Sequence, residues 1–307
     1  MVAALLADLF EGHRSHLLSV AYRLTGSVAD AEDAVQEGWL RLAVARQSEI
    51  EDLRAWLTTV VSRICLDRLR SAAVRREQYV GQWLPEPIVT SAAPSSTPDP
   101  LAALVRKQDC RFAALVVMDA LTPPQRVAFV LHDGFGVPFD EIAGVLDISV
   151  EAARQLAVRA RKALAHTPEP VPDEEHNLAV QQFLEALLRG DVNSVIAALH
   201  PDARTIGDAG GTTGTAINIV EGAEKNTRLW LGLRTRYGFN DPERLAGGFE
   251  PVLVNGQLGM LIHERASENG YPGTPMRIYG YTVRDGKVWG IYDLVNPAKL
   301  TGVRLPN

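Results

Sequence analysis

Residues Leu17 to Leu42 read LLSVAYRLTGSVADAEDAVQEGWLRL. The run splits into two helices at Thr25-Gly26, where Ser27 can cap the second helix and Asp30 can complete a capping box. Ala31, Val35, Trp39 and Leu42 recur at helical spacing and form the face expected in a core. Asp30, Asp33, Glu37 and Arg41 recur on another face, with Glu32 and Gln36 beside them. Taken alone, that face reads as a solvated acidic surface, favoured by carboxylates near a positive helix N-terminus.

The next segment is of opposite charge. Six arginines (Arg54, Arg63, Arg68, Arg70, Arg75, Arg76) and one acidic residue, Asp67, lie between 54 and 76. The two stretches together, AYRLTGSVADAEDAVQEGWLRL and RAWLTTVVSRICLDRLRSAAVRRE, resemble region 2 of bacterial sigma factors of the sigma-70 family, in particular the extracytoplasmic-function (group IV) class. The resemblance implies that the acidic helix (Asp30, Glu32, Asp33, Gln36, Glu37, Arg41) docks on the β′ clamp helices of core RNA polymerase. It implies also that the following helix and loop read and melt the promoter −10 element. Arg63, Arg68, Arg70, Arg75, Arg76, Gln78 and Tyr79 are the candidates. Cations, hydrogen-bonding groups and an aromatic ring suit single-stranded DNA with an unstacked base.

With 307 residues the chain is long enough for two or three domains, each with its own core. No apolar run approaches the roughly 18 residues that cross a bilayer. The first residues lack a basic start and a cleavage site, so no signal peptide is expected. Cys65 and Cys110 are the two cysteines, too few for a disulfide framework or a zinc cluster, and a reducing cytoplasm is expected. Cys65, in an apolar helix, reads as a buried thiol. The net charge of −6 is unusual for a DNA-binding protein. Local patches, not the sum, set phosphate affinity.

Helices are expected over residues 3–24, about Val28 to Ala45, and Arg54 to about Ser71, the last with Trp56, Val60, Ile64 and Leu69 as its core stripe. They make an all-α domain over residues 1–80. Residues 81–100, with QWLPEPIVTSAAPSSTPDP from Gln82, form a proline-rich linker expected to be extended and without regular structure. Trp83 and Leu84 within it are large apolar groups expected to dock. The word WLPEP resembles one found in sigma factors that carry an extra C-terminal domain.

A second helical domain is expected over 101–165. Thr122, Pro123 and Gln125 make a helix start. VPFDEIAGVLDISVEAARQLAVRARKAL, from Val137, has the apolar pattern of a helix-turn-helix: Phe139–Leu146, a turn at Asp147–Ser149, then Val150 to about Leu164. Ile142, Ala143, Leu146, Ile148, Val150, Ala153 and Leu156 form its apolar set. Asp147 stands where Gly is usual, and a left-handed residue is expected there. The second helix suits a major groove, with Glu151, Arg154, Gln155 and Arg159 facing bases and Arg161, Lys162 and Arg126 facing phosphate. Its place after a region 2 lookalike resembles sigma region 4, which reads the −35 element. For the family, the β flap of polymerase is the implied partner.

A second linker, 166–176, is followed by a domain of different class over 177–307. Helices are expected at Leu178–Arg189, Val192–Leu199 and Glu221–Tyr237. Strand words then dominate, with Asn255-Gly256 and Asp285-Gly286 as hairpin turns. Helices first and an antiparallel sheet after give an α+β domain. FLEALLRGDVNSVIAALHPDA before such a sheet resembles the SnoaL-like branch of the NTF2-like cone fold. Asp208-Ala209-Gly210-Gly211-Thr212 resembles the DGGGK word of sigma factors with a SnoaL-like tail, and Asn296-Pro297-Ala298-Lys299-Leu300 their NPDKL word. Thr212 and Ala298 replace charged residues, which puts any salt bridge from those two positions in doubt. Regulatory contacts are therefore expected at Trp83, Leu84, Asp208, Gly210, Gly211, Asn296, Pro297 and Lys299.

The sequence thus predicts a multi-domain protein, two all-α sigma domains followed by an α+β SnoaL-like domain. Its implied activity is promoter-specific initiation with core RNA polymerase on −10 and −35 elements, regulated in cis by the tail. The resemblance implies no separate anti-sigma factor, no membrane partner, no metal and no cofactor, and allows an unidentified small molecule in the tail's pocket. Two alternatives stand beside this reading. One is a ligand-sensing helix-turn-helix regulator acting without polymerase. The other is a pocket enzyme with a DNA-binding appendage, using Asp208, His200, His263, Tyr237 or Asp293 if two of them converge.

Overall fold

The computed structural model describes residues 2–76, 79–92, 111–165, 167–245 and 248–303. These fall into two compact units. One is built from residues up to 76 and between 114 and 167, the other from 79–92, 111–113 and 168–303.

In the first unit, α1 (Val2–Thr25), α2 (Val28–Val44) and α3 (Leu53–Arg76) pack on one another. The Ser27 hydroxyl accepts from Asp30 N–H at 3.2 Å, as expected of the cap. The reciprocal half of the box is different. Ser27 N–H donates to Thr25 Oγ1 at 3.3 Å, and the Asp30 carboxylate turns to Arg68. Leu17, Val20, Ala21, Leu24, Ala31, Ala34, Val35 and Leu42 are buried. In the expected stripe of α3, Ile64 and Leu69 hold and the other two positions shift by one. Leu57, Val61, Ile64, Cys65 and Leu69 are buried, while Trp56 and Val60 are half-buried. Trp39 is also half-buried, its ring 5.1 Å from that of Phe10. Gly38 is where α2 and α3 cross most closely: a Cβ there would lie 2.9 Å from Val61 Cγ2.

The helices α4 (Phe112–Met118), α5 (Pro123–Phe129), α6 (Phe139–Leu146) and α7 (Val150–Leu164) follow. α5 runs on into one wide π turn, Val130–Gly134. Gln125 Oε1 accepts from Thr122 N–H at 3.0 Å, closing the predicted helix start. Asp147 adopts φ 56°, ψ 51°, the left-handed turn between α6 and α7. Ile142, Ala143, Leu146, Ala153, Ala157 and Ala160 are buried there, whereas Ile148, expected in that set, is exposed.

In the second unit, α8 (Asp173–Arg189), α9 (Val192–Ala198) and α10 (Ala223–Arg236) accompany a sheet of seven strands. Its order is β1 (Val89–Ser91), β4 (Phe249–Val254), β5 (Gln257–Ile262), β6 (Arg277–Arg284), β7 (Lys287–Leu294), β2 (Leu199–Asp208), β3 (Val220–Glu221). The four strand words of the sequence are β4 to β7, and Asn255 and Asp285 turn left-handed at φ 49° and 53° as the hairpins require. The sheet differs from expectation in two ways. β2 is a strand that alternation does not reveal, and it pairs with β7 in parallel. β1 lies in the proline-rich linker, where Val89, Thr90 and Ser91 pair with Val254, Leu253 and Val252. Proline excludes a central strand but not a short edge strand. Phe183 of α8 and Trp230 of α10 meet Tyr279, Tyr281 and Ile291 in the core between helices and sheet.

Candidate functional site: charged helix faces, a linker lock and an apolar cavity

The acidic face of α2 is presented to solvent. Asp33, Gln36, Leu40, Arg41 and Val44 are exposed and Glu37 partly so, at positions that share one helix face; Glu32 is exposed beside them. Leu40 and Val44 were not singled out from sequence. They are 59% and 86% exposed, and their only signal is that they continue the acidic face at i+4 and i+8. Glu37 pairs with Arg41 one turn on.

The basic side of α3 is partly engaged. Arg68 Nη1 reaches Asp30 at 3.0 Å and Asp33 at 3.4 Å, so it spans the acidic helix instead of standing free. Arg63 Nη2 donates to the Gly144 carbonyl of α6 at 2.6 Å. Arg70 is exposed, 3.6 Å from Asp67. Arg75 and Arg76 end α3 with their side chains outside the described set, and Gln78 lies outside the described residues.

On α7, Glu151, Arg154, Gln155, Arg159 and Lys162 are exposed at i, i+3, i+4, i+8 and i+11 of one face. Ala153, Ala157 and Ala160 hold the opposite face in the core. Small residues there let the helix seat closely while its long side chains reach outward. Arg161 is exposed but forms a two-bond pair with Asp133 at 2.8 and 3.1 Å. Arg126, expected at phosphate, is only 1% exposed. It donates to the Arg23 carbonyl at 3.2 Å and lies 3.6 Å from Asp119. A guanidinium taken out of water needs such partners, and the helix start puts Arg126 on the inner side of α5.

The second unit brings together residues far apart in sequence. Asp208, at the end of β2, is fully buried. Its carboxylate accepts from the Tyr79 hydroxyl, from Leu84 N–H at 2.8 Å, from Gly210 N–H at 3.2 Å and from Asn296 Nδ2 at 3.5 Å. Lys299 Nζ completes the cage at 2.6 Å, also bonds the Leu84 carbonyl, and sits 4.0 Å from the centre of the Trp83 ring. Asn296 caps α11 (Pro297–Leu300), which presents Lys299, and its Nδ2 donates to Tyr79 Oη at 2.7 Å. The salt bridge survives the two charge losses because it uses Asp208 and Lys299, the charged members that the two words keep. Gly210, at φ 59°, leaves room for the Asn296 amide, which a Cβ would meet at 2.7 Å; Gly211 follows at φ 75°. Tyr79, expected with the −10 loop, is thus held in this cage. Asn255 adds a second clasp: its Oδ1 accepts from Ile88 N–H at 3.0 Å and its N–H donates to the Ile88 carbonyl at 2.8 Å. Sequence reading took Asn255 for a turn residue only.

The same unit encloses a cavity of about 250 Å³. Phe183, Trp230, Phe249 and Met260 are among its walls, and Arg277 and Thr274 are lining residues too, though the surface they share with the others is almost wholly apolar. Of the residues weighed for acid–base chemistry, Tyr237 lines the cavity. Asp208 is in the lock, Asp293 lies behind Arg277 at 3.2 Å, His200 is 3.5 Å from Asp285, and His263 is 2.9 Å from Glu250. The five do not converge. Among the described residues no helix is long and apolar enough to cross a membrane, and no three His, Cys, Asp or Glu are grouped to hold a metal ion.

The family model for sigma-70 region 2 matches residues 9–75, and that for sigma-70 region 4 matches residues 111–164. The ECF RNA polymerase sigma factor SigJ of Mycobacterium tuberculosis is 52% identical over 296 residues, 95% of this chain and 92% of that protein. The chain belongs to the extracytoplasmic-function sigma factors of the sigma-70 family. The probable ECF sigma factor SigI of the same species is 34% identical, covering 96% of this chain and 94% of its own. The crystal structure of the M. tuberculosis SigJ matches with a TM-score of 0.83 at 49% identity, over 98% of this chain and all of that one. This sigma factor therefore has two helical sigma domains followed by an α+β domain, and serves promoter-specific transcription initiation. Sigma factors of this family work with core RNA polymerase and promoter DNA. The linker lock and the apolar cavity lie beyond the two matched regions.

Proposed function

We propose that this sigma factor docks on the β′ clamp helices of core polymerase through the exposed α2 face, with Leu40 and Val44 extending Glu32, Asp33, Gln36, Glu37 and Arg41. An acidic face flanked by exposed apolar side chains suits a partner helix pair better than bulk solvent. The basic side of α3, with Arg70, Arg75, Arg76 and Gln78, engages the −10 element, and α7 reads the −35 element with Glu151, Arg154, Gln155 and Arg159, while Lys162 meets phosphate and region 4 meets the β flap. Arg63 and Arg68 join the −10 contacts once they leave Gly144 and the two aspartates, and Arg161 joins the phosphate contacts once it leaves Asp133. The protein acts in the cytoplasm, without a catalytic step and without a separate anti-sigma factor.

The observation that carries the cis control is Tyr79 held on Asp208. The aromatic ring that would stack an unpaired −10 base sits in a cage made by the C-terminal domain, so closing the lock withholds it from DNA. The C-terminal domain thus restrains initiation, and a small molecule in its cavity sets how firmly it does so. Run-off transcription with bacterial core polymerase tests this. Full-length protein should initiate from a cognate promoter, Arg154→Ala with Arg159→Ala should lose −35-dependent initiation, and Asp208→Ala should raise the yield. Failure of both full-length and Asp208→Ala proteins to bind core polymerase refutes the docking assignment. An Asp208→Ala yield at or below wild type refutes restraint by the lock.

A further inference from the structure

The cavity of the second unit is walled by two helices and three strands: Leu184 and Leu187 of α8, Trp230 of α10, Phe249 of β4, Met260 of β5 and Tyr281 of β6. The surface turned inward is almost wholly apolar. Polar atoms of the lining residues are used elsewhere. Arg277 Nη1 bonds Tyr279 Oη at 3.1 Å and Asp293 Oδ2 at 3.2 Å, and Nη2 bonds the Gly214 carbonyl at 3.2 Å. Arg234 donates twice to the Leu188 carbonyl, at 2.9 and 3.2 Å. Arg277 Nε and Thr274 Oγ1 have no partner, but both atoms are buried and present no surface to an incoming molecule.

Such a cavity selects against polar atoms. A ligand oxygen or nitrogen that enters leaves its hydrogen bonds to water and finds none in exchange, and a charge is disfavoured further. Hydrocarbon gives up nothing in water and gains close contact with the walls. The walls are also preformed. Phe183 meets Trp230 and Tyr281, and Trp230 meets Tyr279, edge to face with ring centres 5.1 to 6.5 Å apart, so these rings brace one another around the empty space. Volume sets the size. A dry apolar cavity of about 150 Å³ holds one benzene ring, and in the same proportion a cavity of about 250 Å³ holds about ten carbons. Leu188 lines the cavity and is 41% exposed, which puts its opening at the C-terminal end of α8.

We propose that this cavity binds a neutral hydrocarbon group of about ten carbons, which enters past Leu188 and makes no hydrogen bond inside the protein. The inference names the ligand class of the C-terminal domain read above as a ligand-holding regulator, and rests on that reading. Shape and the absence of polar surface select the ligand, not a hydrogen-bonding partner.

Calorimetry on the full-length protein tests it with three probes of one shape: the hydrocarbon tetralin, its ketone 1-tetralone, and the acid 1,2,3,4-tetrahydro-1-naphthoate. Tetralin should saturate at one per chain. The ketone should bind about tenfold more weakly or worse, because its oxygen enters without a partner, and the acid should not bind measurably. Met260→Trp, which fills the cavity from β5, should abolish tetralin binding. Leu184→Trp fills it from α8 and keeps the test open if Met260→Trp does not fold. The proposal is overturned if tetralin does not saturate, if the ketone or the acid binds as tightly as tetralin, or if binding survives in a folded filling variant. Run-off transcription by the same wild-type preparation, with and without tetralin, separates the two readings. Protein that initiates but fails the binding test loses this ligand class alone. Tetralin that binds and leaves the transcript yield unchanged refutes control through the cavity and leaves the ligand class standing.

Discussion

Replacing Asp208 by Ala should release the linker from the C-terminal domain. The Asp208 carboxylate is fully buried, and its partner Lys299 keeps 13% side-chain exposure. Removing one member of such a pair leaves the other charge uncompensated and costs about 3–5 kcal/mol. The lower end applies here, because an opened linker lets Lys299 reach water. About 3 kcal/mol corresponds to a factor of roughly 150 in an opening equilibrium. Hydrogen exchange at the Ile88 amide reads this opening without touching the mutated group, since Ile88 donates to Asn255 and not to Asp208. Its protection should fall about a hundredfold, whereas amides of the α8 and β6 core should change by less than about threefold. Lys299→Met should give a similar result, and the double variant should cost less than the sum of the two. If Leu84 exchanges quickly while Ile88 keeps its wild-type protection, β1 pairing alone holds the linker and the lock argument is wrong.

Three further outcomes follow from buried groups. Arg126→Met should destabilise the helical unit by about 3 kcal/mol in urea unfolding, because Asp119 and the Arg23 carbonyl lose their donor; the salt dependence of promoter binding should stay unchanged, since Arg126 touches no phosphate. Burial pushes the Cys65 thiol up to about 12, so mass-mapped alkylation at pH 8 should leave Cys65 unmodified in native protein and modify it in denaturant. Burial lowers the His176 imidazole below its ordinary value. The unfolded chain therefore takes up a proton first as pH falls through about 6.5, and stability drops on acidification. His176→Phe should flatten the loss of stability of the α+β unit between pH 7 and pH 5; an unaltered slope would remove His176 from that titration.

The helical part was legible because its signals are local. Ser27, Thr122 and Asp147 mark helix ends by short-range chemistry, and the alternating charge of α2 and α3 shows which faces point outward. Where a stripe is crowded with apolar residues, as in α3, periodicity sets the helix but not its rotation, and Leu57 and Val61 rather than Trp56 and Val60 take the core. Arg126 misled because a cation early in a helix looks alike whether it meets phosphate or a buried carbonyl. β2 was hidden because a strand containing Pro201, Asp202 and Arg204 shows no simple alternation, and its partner β7 lies some 90 residues later.

The amino-acid order by itself determined where most of the helices lie, the hairpin turns, the sign of each charged face and the words that carry the family likeness, because each depends on neighbours within a turn or two; it did not set every boundary, since the helix expected from Leu178 begins at Asp173, inside the expected linker. Tertiary structure alone decided that Asp208 gathers Tyr79, Leu84, Asn296 and Lys299 from separations of up to 129 residues, and that Arg277 stands beside an apolar cavity. Burial is what turns those contacts into strong ones, and burial depends on how distant segments pack.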